Sequence, residues 1–242
     1  MQRKHNPITL VRGFITLLLI PLLIGLVSIA ALLLHYFRAY SGRRLQWLPR
    51  WSGRMLCRAG GLAVTVRGGE QLDPAKSYIF AVNHQSQFDI FVLQAHLDFD
   101  FRWLAKKELF AIPIFGPAMR VAGYIPVDRS HGRRAVQSLD EAAKRIAGGT
   151  SVVIFPEGTR SPDGKLQPFK AGAMVLAIKA GVEVVPMAIS GTHEVLPKGK
   201  LLARSGPVTV TLGEPIPVAA YNLKQKQELA QLLEDKVREL LE

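Results

Sequence analysis

Between Phe14 and Tyr36 the chain reads FITLLLIPLLIGLVSIAALLLHY, with no charged residue anywhere in the run. A helix built from it is apolar on every face, so it has no side to offer to water. The run is also longer than the roughly 20 residues a helix needs to cross a bilayer core. A secretory signal carries a shorter apolar stretch, usually about 7–15 residues, ahead of an A-x-A-like cleavage site. No obvious site of that kind follows here, so the expectation is a retained membrane anchor. Pro21 and Gly25 leave its form open: they can kink a spanning helix or turn a re-entrant hairpin whose ends stay on one side. Arg3, Lys4 and Arg12 precede the run, and Arg38, Arg43, Arg44, Arg50, Arg54 and Arg58 follow it. The heavier basic flank belongs on the cytoplasmic side, which predicts an inner-membrane protein with its main domain facing the cytoplasm.

The stretch from Arg38 to Arg58 interleaves arginines with Trp47, Leu48, Trp51, Met55 and Leu56. Rings at headgroup level beside guanidinium groups suit a membrane interface. Stacking on nucleic acid is the competing use, and a helix packed on the domain is compatible with both; the place directly after an anchor favours lipid. The formal charge of +12 favours anionic partners in general. Cys57 is the sole cysteine, so neither an intrachain disulfide nor a CxxC zinc cluster can form. The chain divides into residues 1–60, an anchor with a basic interfacial segment, and residues 61–242, a catalytic-sized domain.

In that second part short apolar runs alternate with helical patterns. Leu62–Val66, Tyr78–Val82, Phe101–Ala105, Tyr124–Val127, Ser151–Phe155, Val184–Ile189 and Val208–Leu212 read as strands. Phe88–His96, Arg133–Ala147, Ala171–Ala180 and the amphipathic Gln225–Leu241 read as helices. The alternation predicts an α/β fold: a single domain with a mostly central β-sheet flanked by helices, preceded by an N-terminal membrane helix or helical hairpin. In such sheets functional residues lie just beyond strand ends.

Two motifs fall there. Asn83-His84-Gln85-Ser86-Gln87-Phe88-Asp89 links an apolar strand to a helix. His84 and Asp89 are separated by about 500° on a regular helix and would not share a face. They meet only if the first part is a turn and Asp89 opens the helix. The carboxylate would then hold one imidazole nitrogen and leave the other free to take a proton from a hydroxyl, a serine-hydrolase arrangement whose nucleophile comes from the substrate. A structural histidine beside a capping aspartate is the plainer alternative. Ser86 reads as a cap rather than a nucleophile.

Phe155-Pro156-Glu157-Gly158-Thr159-Arg160-Ser161 follows the strand SVVIF. Gly158 permits a tight path, and Arg160 offers a planar donor fork suited to phosphate. Glu157 can orient Arg160 or bind a substrate hydroxyl. A charged surface turn would explain the glycine and serine but not the flanking of that glycine by Glu157 and Arg160.

An NHxSxxD block followed by FPEGTRS resembles the 1-acyl-glycerol-3-phosphate acyltransferase (lysophosphatidic acid acyltransferase) family. Gly123-Tyr124-Ile125-Pro126-Val127-Asp128-Arg129 is similar to the family's second block, and Val185-Pro186-Met187-Ala188-Ile189 to its fourth. All four stand in the family's order, across Leu62 to Leu212; the first and third carry most of the likeness.

The resemblance implies His84 as general base and Asp89 as its partner. It implies acceptor-phosphate binding by Glu157, Gly158, Arg160 and Arg129. By position Lys106 is a candidate for a further phosphate contact, with Lys107 the competing choice and a solvated surface charge the plain alternative for either. The implied reaction moves an acyl group from an acyl thioester, acyl-CoA or acyl carrier protein, to the free hydroxyl of a lysophospholipid in the bilayer. It needs no metal and no cofactor, and no nucleic-acid partner is expected. A lyso-ornithine lipid is the alternative acceptor. A thioesterase or lipase using Ser86 or Ser161 lacks the G-x-S-x-G elbow, and a non-enzymatic basic membrane or nucleic-acid binder leaves the ordered motifs without a use.

Overall fold

The computed structural model describes residues 7–128 and 132–242. The apolar run lies within one continuous helix of 32 residues, α1 (Pro7–Arg38). Neither Pro21 nor Gly25 breaks it, so the hairpin alternative gives way to a single helix. A proline removes one backbone hydrogen bond, and the leucine-rich turns on either side keep theirs. Small residues decide which side packs inward: Gly13, Thr16, Ser28 and Ala31 are buried together with Leu23. Phe14, Leu18, Leu22, Leu26 and Leu33 stay exposed. The Thr16 and Ser28 hydroxyls donate to the Arg12 and Ile24 carbonyls at 2.7 Å, so the packed side buries no unpaired hydroxyl.

The basic aromatic stretch forms α2 (Trp47–Gly60), which packs on the domain and on α1. A Cβ on Gly53 would stand 2.8 Å from the Phe91 carbonyl, so a glycine is what lets α2 lie this close to α3 (Phe88–His96). Trp47, Trp51 and Met55 remain exposed on the outer side.

The strands are β1 (Leu62–Arg67), β2 (Ile79–Val82), β3 (Phe101–Lys106), β4 (Ile125–Val127), β5 (Ser151–Ile154), β6 (Val184–Ser190) and β7 (Gly206–Leu212). They form one seven-stranded sheet in the order β1-β7-β6-β2-β5-β3-β4. Every pairing is parallel except β6 with β7. The remaining helices are α4 (Phe115–Val121), α5 (Arg133–Ala147), α6 (Ala171–Ala180), the short α7 (Thr192–Val195) and α8 (Lys226–Leu241). Helix α4 is absent from the sequence reading because Ile112-Pro113 and Gly116-Pro117 look like breakers. Pro117 falls in the first turn, where backbone N–H groups have no intrahelical partner anyway.

Side chains alternate across the central strands and build two cores. Phe80, Val82, Val153, Met187 and Ile189 join α3 on one face. Ile79, Ala81, Val152, Ile154 and Ala188 join α5, α6 and α8 on the other. The chain leaves β2 through α3 toward β3, and leaves β5 through α6 back toward β6. The crossovers run in opposite directions on opposite faces, so the switch point lies between β2 and β5. Both motifs follow those two strands.

Candidate active site

Asn83 begins the turn after β2. Its amide clamps the neighbouring strand, donating to the Ile189 carbonyl at 2.9 Å and accepting from the Ile189 N–H at 2.7 Å. The chain then bends rather than entering a helix directly, and Asp89 falls in the first turn of α3. The bend brings His84 Nδ1 to 2.8 Å from Asp89 Oδ2. The same oxygen accepts the N–H groups of Gln85 at 2.8 Å and Ser86 at 2.9 Å. An oxygen facing two backbone donors acts as acceptor toward the ring as well, so Nδ1 carries the proton and Nε2 keeps its lone pair. Asp89 is fully buried, whereas the His84 side chain retains 14% of its exposure. The imidazole lies flat on the Phe155 ring, centroids 3.8 Å apart and planes 15° apart.

The second motif locks onto the first through the backbone. His84 N–H donates to Glu157 Oε1 at 2.7 Å, and Ser161 N–H donates to the His84 carbonyl at 2.7 Å. Glu157 is therefore turned inward, at 3% exposure, and contacts the His84 turn rather than Arg160. Among the described residues its buried Oε2 has no hydrogen-bond partner at ordinary bonding distance. Burial pushes its carboxyl up to about 7, against the lowering effect of the His84 and Gln167 backbone donors; the Asp89 and Glu234 carboxylates push the same way as burial. Gly158 holds φ +77°, and a Cβ there would come within 2.9 Å of Lys170 Nζ.

Neither serine is set up as a nucleophile. The buried Ser86 hydroxyl donates to the Leu196 carbonyl at 2.8 Å and accepts from Phe88 N–H at 3.2 Å. The buried Ser161 hydroxyl donates to Asp163 at 3.0 Å. The amides of Gln85 and Ser86, the nearest candidates for an oxyanion site, already donate to Asp89.

Residues 63–190, just over half of the chain, match the family model described as Acyltransferase. The chain belongs to this family. A 1-acyl-sn-glycerol-3-phosphate acyltransferase of Haemophilus influenzae is 30% identical over 220 residues, covering 89% of this chain and 90% of that protein. One from Chlamydomonas reinhardtii is 40% identical over 156 residues, 64% of this chain but 47% of that protein. The chain spans about half the length of such plant and algal relatives. The crystal structure of PlsC from Thermotoga maritima, a 1-acyl-sn-glycerophosphate acyltransferase, superposes with a TM-score of 0.70 at 27% identity, covering 90% of this chain and 95% of that one.

The family's other expected contacts divide. Arg160 is half-buried and directly precedes Ser161, whose N–H holds the His84 carbonyl. Lys106 is exposed, and Lys107 is held by Asp128 at 2.6 Å, which leaves Lys106 the less committed of the two. Arg129 lies outside the described residues. Two lysines that sequence reasoning passed over join the FPEGTRS loop: Lys170 over Gly158, and Lys198, whose Nζ donates to the Arg160 carbonyl at 3.0 Å. Lys170 follows Phe169 at the start of α6 and Lys198 stands in the turn after α7; nothing in their local sequence marks either. In the sequence Phe155 reads as the end of a strand, and only the crossover geometry puts its ring under the imidazole.

Proposed function

We propose that this acyltransferase esterifies the free hydroxyl of 1-acyl-glycerol-3-phosphate with an acyl group from an acyl thioester, giving phosphatidic acid. The observation that carries the reading is the His84–Asp89 pair beside the FPEGTRS loop, with no partner on its second imidazole nitrogen among the described residues. His84 Nε2 takes the hydroxyl proton as that oxygen attacks the thioester carbonyl carbon. The carbon–sulfur bond breaks, and the imidazolium returns its proton to the thiolate. A free thiol has a pKa near 8.5, so this leaving group needs little acid help. Asp89 steadies the imidazolium without taking its proton. Arg160 and Lys106 meet the acceptor phosphate, with Gly158 letting the backbone pass closely and Glu157 holding the loop against His84. The names of the Haemophilus and Chlamydomonas relatives and of the Thermotoga structure support the acceptor. The donor is either acyl-CoA or acyl carrier protein, and the enzyme works from the cytoplasmic face of the inner membrane.

The test offers the purified protein a panel of lysolipids, lysophosphatidate and lyso-ornithine lipid among them, with one labelled acyl thioester. Labelled phosphatidate is the expected product; another labelled lipid replaces the acceptor named here. His84→Ala should abolish transfer while the protein stays folded and vesicle-bound, and Arg160→Ala should raise the apparent KM. Activity retained by His84→Ala removes the general base.

A further inference from the structure

The segment Pro197–Arg204 takes no part in the sheet, yet it touches both the active-site loop and the anchor. Lys198 Nζ donates to the Arg160 carbonyl at 3.0 Å. At its far end, Gly13 of α1 lies so close that a Cβ there would stand 2.7 Å from the Ala203 carbonyl. Between them a shallow groove of about 460 Å³ runs from Thr9 and Leu10 of α1 to this segment. Two backbone hydrogen bonds shape the turn, Lys200 N–H to the Pro197 carbonyl at 3.0 Å and Arg204 N–H to the Val195 carbonyl at 2.7 Å. At its tip Leu201 is 72% exposed. Lys198, Lys200 and Arg204 are exposed around it, and no carboxylate stands between Leu196 and Ser205; the nearest acid along the chain is the exposed Glu194.

We propose that Pro197–Arg204 is a docking loop for an anionic bilayer surface, with Leu201 entering the acyl boundary while Lys200 and Arg204 meet headgroup phosphates. This rests on the reading that the acceptor is a bilayer lipid, and adds where the active-site loop meets that bilayer. Charge complementarity and continuity with the exposed apolar side of α1 favour lipid over an acidic protein, which has no use for a leucine projecting beside Leu10. Lys198 then ties the docked loop to the backbone of Arg160, so the phosphate-binding arginine sits at headgroup depth.

Cys57 provides the means of testing this. It is buried at 2% exposure, and burial pushes its thiol up to about 12, so it stays unreactive. In the full chain carrying Leu201→Cys, an environment-sensitive fluorophore reports from the loop tip. Vesicles containing phosphatidylglycerol should shift its emission to the blue and expose it to quenching by spin-labelled lipid; pure phosphatidylcholine vesicles should do so far less. Adding Lys200→Gln and Arg204→Gln should weaken loop docking roughly 30-fold, from about a fivefold factor per cation near the surface. Water-like emission from protein that floats with anionic vesicles overturns the proposal. So does an equal shift in both lipids, or a shift that appears only when acyl carrier protein is added. Transfer to 1-acyl-glycerol-3-phosphate in detergent micelles, measured on the wild type, tests the enzymatic reading separately: its absence would sink that reading and leave the docking result standing.

Discussion

Asp89 gathers three donors onto one carboxylate oxygen: the His84 ring and the N–H groups of Gln85 and Ser86. It therefore sets both the bend and the tautomer. Asn at this position keeps the shape but cannot accept three times while satisfying its own amide hydrogens. Asp89→Asn should lower kcat by roughly 10³–10⁴ with little change in KM, since the carboxylate touches no acceptor group. A kcat within tenfold of wild type would leave Asp89 as a turn-former only. Glu157 gives the site a pH dependence of its own. Its carboxyl, ordinarily near 4.5, is pushed up to about 7 by burial. Across that interval the native state holds a proton that the unfolded chain has released, so this contribution to stability is complete below about pH 4.5 and is lost as pH rises through 7. The difference is worth roughly 3 kcal/mol. Glu157→Gln is neutral throughout and keeps an acceptor for the His84 N–H. Melting in detergent at pH 5 and pH 8 should show the variant gaining on the wild type at the higher pH; parallel behaviour would mean the carboxyl does not titrate in this range.

Helices whose ends carry their own punctuation are legible in the sequence. Ala171–Ala180 stops at Gly181, Arg133–Ala147 stops before Gly148 and Gly149, and Phe88–His96 starts after a polar turn. The four motif blocks were legible for the same local reason. What could not be read is contact between separate crossovers: Glu157 turning inward to the His84 backbone, Phe155 lying beneath the imidazole, Lys198 reaching Arg160. Those depend on which loops the sheet order makes neighbours. Helix α1 shows the limit most clearly, because hydropathy cannot tell which stripe of an apolar helix packs on protein. Two of its glycines separate the possibilities. Gly13 abuts the Ala203 carbonyl, and Gly25 has nothing within 4 Å of its missing Cβ. Gly13→Leu should therefore push α1 off the domain and cost about 1–3 kcal/mol. Gly25→Leu, on the open side, should be neutral or stabilise by up to about 1 kcal/mol through helix propensity. Melting temperatures in detergent check the pair; equal losses at both sites would mean that α1 does not pack by this stripe.

At the scale of the whole molecule, the proposed membrane attachment rests either on the +12 charge or on the apolar surface. Helix α1 is about 48 Å long by its helical rise, and the domain packs against it toward both ends, at Gly13 and again where Ala31 meets Leu45, Leu48 and Ala118. Lipid can thus cover only its outward side. That side still exposes ten large apolar residues from Ile8 to Leu33, and Trp47 and Trp51 of α2 add to the apolar surface. Each is about half exposed, and completing its burial contributes on the order of 1 kcal/mol, so α1 alone supplies roughly 10 kcal/mol. Each basic residue at an anionic surface supplies about 1 kcal/mol, and that part is screened within about 3 Å in 1 M salt. In 1 M salt apolar burial therefore dominates, and at low salt the charge adds a lipid preference on top of it. Vesicles carrying the full chain, washed in 1 M sodium chloride and floated, should retain the protein, whether their lipids are anionic or zwitterionic. Release by salt would show that the apolar side of α1 is not in lipid and that charge alone was holding the protein there.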